Sequence, residues 1–201
     1  MAANEAWPVW GIAHGHGALV ACAALYLVWW WLFFDPRRER PTGVLYGVGV
    51  ACILGAVACG AWGVYRITDG LGAVDAAITS SGVTSWALPG WVFFVGGALV
   101  YVVALVVTNR VFSRQVTTDL LLIVAWFALE LDILDCLAGV GALTPGASAV
   151  LLVLVIALFA GSMVCYVLYY RLPPVPAFLD GCAPLVAVGV FSLAMAIVLS
   201  V

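Results

Sequence analysis

Three carboxylates stand close together in FALELDILDCLAG, residues 127 to 139: Glu130, Asp132 and Asp135. They interrupt an otherwise apolar stretch that runs from Leu120 to Leu143. On a helix, Asp132 and Asp135 lie about 60° apart and share a face with Ala125, Ala128, Cys136 and Gly139. Strips of small residues of this kind normally face neighbouring helices in a membrane. Two carboxylates one turn apart in a low-dielectric setting cannot both ionise cheaply, so the pair reads as a proton-holding or cation-binding site. Glu130 is about 160° away from Asp132, on a face with Trp126, Leu134 and Leu137. It is expected to meet a different helix, another subunit or lipid, and is the surface through which a second copy or a partner subunit would dock.

The first apolar segment supplies further titratable groups. WGIAHGHGALVACAAL contains the chain's two histidines, His14 and His16. His14 shares its face with Gly11, Ala18 and Ala21, which points it at the bundle interior, whereas His16 lies with Ala13, Val20 and Ala23. Counted by helical rise, His14 and Asp135 are at matching depth, each roughly 10 Å below the outer surface. A histidine beside a buried carboxylate titrates across physiological pH, so His14 is expected to modulate access to the aspartates. His16 and Arg66, the latter in VYRITDG, read as vestibule residues at the outer interface. The two histidines point apart, which makes HGH a weak metal motif. A mixed metal set would draw on His14, Asp132, Asp135 and Cys136. No cofactor follows from these residue types.

The elements that position these groups are set by composition. Of 201 residues, 66% are hydrophobic and 8% charged, against roughly 25% charged in a soluble domain, so the chain reads as an all-α integral membrane protein. Six spans fit the apolar runs: about 9–34, 42–65, 88–109, 120–143, 147–170 and 178–200, in a single transmembrane domain of six helices. A polar outer segment at 67–87 is long enough for a short amphipathic helix. In this frame Asp132 lies near the bilayer midplane, where an acid costs at least ~2.5 kcal/mol and marks a functional position by default.

Arginines orient the bundle. Arg37, Arg38, Arg40, Arg110, Arg114 and Arg171 fall on one side and Arg66 alone on the other, so the positive-inside rule puts both termini outside. Trp29, Trp30, Trp31, Tyr166 and Tyr169 mark the inner interface, and Trp10, Trp62 and Trp91 the outer one. The N-terminal apolar segment, which lacks a basic leader and ends in DPRRER, reads as a retained span of a bacterial inner-membrane protein. A net charge of −3 without a large basic cluster argues against nucleic acid as a partner. The six cysteines fall in or beside apolar segments without a C-x-x-C pair and read as small buried hydrophobes.

Together these features suggest a small transporter or channel for a small ion or small-molecule substrate, with a carboxylate site at Asp132 and Asp135. The alternatives are a metal-binding or haem-associated membrane subunit, and an intramembrane enzyme that uses the aspartate pair. Two histidines in one helix disfavour bis-histidine haem ligation. No H-E-x-x-H or G-x-S-x-G motif is present, and no catalytic residue is assigned.

Overall fold

The described residues form six α-helices: α1 (Trp7–Phe34), α2 (Val44–Ser81), α3 (Gly90–Phe112), α4 (Thr118–Gly139), α5 (Pro145–Leu168) and α6 (Pro174–Val198). The computed structural model describes residues 7–81, 90–112, 118–169 and 171–200. Arg114 and the last part of the expected outer segment, 82–87, lie outside the described residues.

The helix ends follow from local chemistry. After α4, Gly141 takes φ +71°, a left-handed conformation that glycine adopts without a Cβ penalty. The Ala142 N–H then reaches back to the Leu137 carbonyl (2.9 Å) and the Gly141 N–H to that of Ala138 (3.1 Å), closing a Schellman motif. Three residues later Thr144 opens α5: its Oγ1 accepts the Ala147 N–H at 3.3 Å, and Pro145 occupies the first helical position. The α4–α5 connection is therefore short and sharply defined. Pro173 and Pro174 start α6 in the same way, without a side-chain cap.

One expectation is corrected here. The segment after Arg66 is not a loop or a separate short helix, because α2 continues unbroken through it to Ser81 and is 38 residues long. The reason is a buried stripe at helical spacing, Ile67, Gly70, Leu71 and Val74, which overrides the Gly, Ser and Thr content around it.

Four helices are long and apolar enough to cross a membrane: Val9–Phe34, Val44–Ala77, Pro145–Leu168 and Pro174–Val198. They present large apolar side chains outward, among them Val44, Leu54, Val57, Trp62, Val153 and Val190, all more than half exposed. A soluble protein does not carry apolar surface on this scale, whereas in lipid such side chains are solvated. This is a membrane protein. The apolar run of α3, Trp91–Val107, is shorter, and α4 carries the three carboxylates.

The chain forms two compact units, Met1–Ala73 with Tyr169–Val201, and Val74–Leu168. In the first, α1 is the middle element. Against α2 it packs antiparallel through glycine: a Cβ on Gly15 would stand 2.7 Å from the Gly63 carbonyl oxygen, and one on Gly11 3.5 Å from that of Arg66. Gly49, Ala56, Gly63 and Gly70 recur every seven residues along the buried side of α2, the period of left-handed helix pairing. Against α6, Ala23 meets Gly189, and the Trp30 indole donates to the Phe178 carbonyl at 3.3 Å.

In the second unit α4 is the middle element, between α3 and α5. Leu120 and Val124 of α4 and Tyr166 of α5 form a core with Tyr101 and Ala104 of α3, while Phe127 stacks on Phe159 at 4.2 Å. Among the described residues no cysteine forms a disulfide, and Cys136 alone of the six is buried, so the expected burial holds for that one thiol.

Candidate functional site

The carboxylates of α4 lie in the most enclosed stretch of any helix. From Ala128 to Leu137 only Leu131 and Asp135 are more than marginally accessible. The cause is packing on both flanks. Ala128 abuts Gly97 of α3 so closely that a Cβ there would come within 2.9 Å of the Ala128 methyl, and the Phe127–Phe159 stack ties the other side to α5.

Exposure is graded across the three acids. Glu130 is 0% exposed, Asp132 is 6%, and Asp135 is partly accessible. Asp132 and Asp135 share one side of the helix with Cys136, whose thiol donates to Asp132 Oδ1 at 3.8 Å. The two aspartates act on each other electrostatically. Glu130 occupies the other side, one turn beyond Trp126, whose indole is within its electrostatic reach. Glu130 is enclosed together with Leu134 and Leu137 beside it, which fits the expectation that this side meets a different helix. A carboxylate without solvent-exposed surface exacts several kcal/mol unless a proton or a cation neutralises it. That is the chemistry this arrangement supports.

A residue that the sequence offers only as a partner for Arg66 joins this group. Asp75, in the extension of α2 that belongs to the same compact unit, exerts its field on both Asp132 and Cys136. It is exposed, so the acids run from an open position at Asp75 to the closed one at Glu130. The signal was the periodicity of Ile67, Leu71 and Val74, which keeps the helix going as far as Asp75.

The two histidines exchange their expected places. His16 is 0% exposed, and His14 is open, with Nδ1 2.7 Å from the Trp10 carbonyl oxygen and its ring 5.4 Å from that of Trp10. The inward side of α1 is set by Gly11 and Gly15, a G-x-x-x-G spacing whose backbone touches α2. His16 follows Gly15 on this side together with Ile12 and Ala23, and His14 is left opposite.

Arg66 is paired on the surface with Asp69, one turn on in α2, at 3.9 Å. Among the described residues no group of three or more His, Cys, Asp or Glu side chains is arranged to hold a metal ion.

No protein-family model matches the chain, and the searches of curated proteins and of solved structures return no match.

Proposed function

We propose that this chain is a small transporter or channel of a bacterial inner membrane whose α4 carboxylates carry a proton or a small cation. Asp132 and Asp135 are the exchanging groups, and Glu130 is the enclosed acid beside them. In this reading all six helices span the bilayer with both termini outside. The observation that supports it is the burial of Glu130 and Asp132 on a helix clamped from both sides, since buried intramembrane acids that serve no exchange are expensive to retain. The open His14 has no part in this reading.

The test is proton movement in liposomes loaded with a pH-sensitive dye, under an imposed pH or cation gradient. Wild-type protein is expected to raise the flux above that of empty liposomes. Asp132→Asn is expected to return it to the empty-liposome level while thermal unfolding in detergent changes little. Wild-type flux no higher than that of empty vesicles across proton, sodium, potassium and magnesium gradients would remove the transport reading. A conducting Asp132→Asn variant would remove the aspartate from it.

A further inference from the structure

The turn between α1 and α2 has a built geometry that the transport reading does not use. DPRR, residues 35 to 38, folds as a β-turn: the Arg38 N–H donates to the Asp35 carbonyl at 3.1 Å, and Pro36 sets φ at the second position. The Asp35 side chain locks it further, since Oδ1 accepts the Arg37 N–H at 3.0 Å. Its other oxygen, Oδ2, lies 3.5 Å from Nε of Arg38. That carboxylate is only 11% exposed, so Arg38 is held from behind. Its guanidinium in turn lies 3.9 Å from the centroid of the Trp31 ring, a cation–π contact that fixes the arginine at the end of the helix.

Two further guanidiniums complete the turn. Arg37 and Arg40 are exposed, and neither forms an ion pair among the described residues. On the last turn of α1, just before them in the chain, Trp31 and Phe34 are each nearly half exposed. Phe34 is stacked on Trp30 at 4.6 Å, so this aromatic surface is rigid. Two exposed arginines next in sequence to exposed aromatic rings at a helix end match an amphipathic anion, with a phosphate for the arginines and an acyl chain for the rings. A free phosphate would make no use of Trp31 and Phe34.

We infer that the α1–α2 turn is a binding site for an anionic phospholipid, whose headgroup phosphate is held by Arg37 and Arg40 and whose glycerol and upper acyl chain lie along Trp31 and Phe34. Arg38 does not bind the lipid first. It keeps the turn in place and adds positive field. Glu39 in the same turn opposes the binding and sets its strength below what two unopposed arginines would give.

The experiment is lipid retention. Protein stripped of lipid in a neutral detergent is offered equimolar phosphatidylglycerol and phosphatidylcholine, and the bound lipid is counted by native mass spectrometry. The wild type is expected to retain phosphatidylglycerol over phosphatidylcholine by about tenfold, since a basic residue near an anionic lipid contributes about fivefold. Arg37→Gln with Arg40→Gln is expected to abolish the preference, whereas Arg110→Gln, at the end of α3, is expected to keep it. Glu39→Gln provides a gain that does not depend on how well the double variant folds, and is expected to strengthen the preference several-fold. Equal retention of both lipids by the wild type would overturn the inference, as would an equal loss in Arg110→Gln. Displacement of the lipid by excess inorganic phosphate would overturn it in favour of a simple phosphate site.

Discussion

The middle helices of the two units, α1 and α4, solve the same problem by opposite means. Each buries an ionisable side chain completely, His16 on α1 and Glu130 on α4. On α1 enclosure comes from backbone proximity: Gly15 and Gly63 bring two helix backbones together, with Ile67 and Leu19 closed around them. On α4 it comes from side-chain volume, through Phe127, Val124, Leu134 and Leu137 together with the facing residues of α3 and α5. A glycine contact tolerates no added atom, because a carbonyl cannot rotate out of the way. A contact made of side chains gives by small rotamer shifts. The difference teaches that α1 is the brittle element and α4 the more adjustable one.

The severest way to break this comparison is Gly15→Val. Its Cβ would come 2.5 Å from Ile67 Cγ1 and 2.7 Å from the Gly63 carbonyl oxygen, so a loss of about 3 kcal/mol is expected in thermal unfolding in detergent. Gly17→Val is the control, since nothing lies within 4 Å of a Cβ there. Equal stability of the two variants would show that the glycine contact does not hold α1 in place.

A second substitution pair addresses the histidines. His16→Ala is expected to cost about 2 kcal/mol through the space it leaves in a packed interior, and His14→Ala less than about 0.5 kcal/mol. The reverse order would put the inward side of α1 back where Ala18 and Ala21 point. Gly97→Val tests α4: its Cβ meets the Ala128 methyl alone, at 2.9 Å, where three atoms crowd a Cβ at Gly15, so a smaller loss of about 1.5 kcal/mol is expected. If that loss matches the one at Gly15, α4 is no more forgiving than α1. The smallest effect belongs to the surface pair. Asp69→Asn should change stability by about 0.3 kcal/mol, and less at high salt, because Asp69 is more than half exposed.

Much of the architecture was legible beforehand. Among the described residues helices occur where the apolar runs were read, four of them long and apolar enough to cross a membrane, and the end of α4 and the start of α5 coincide with Gly141, Thr144 and Pro145, residues whose backbone chemistry permits little else. The α2 extension was misjudged because its polar residues are numerous and its buried stripe has only four members. Within the candidate site, the carboxylates of α4 were evident as charges in apolar surroundings. Asp75 was not, since its relation to Asp132 depends on a helix continuing past the point where the hydropathy falls.

Sequence by itself determined that the chain is helical and membrane-embedded, because a chain this apolar must satisfy its backbone hydrogen bonds internally in lipid. It also determined which helix bears the acids and how they divide between two sides of that helix. Only the tertiary structure decided which side of each helix turns inward. A soluble helix is oriented by the contrast between its apolar and polar sides, but α1 is apolar nearly all the way round and has no such contrast. Orientation then passes to the fit of small residues against a neighbouring backbone, and at Gly11 and Gly15 that fit put His16 inside and left His14 out.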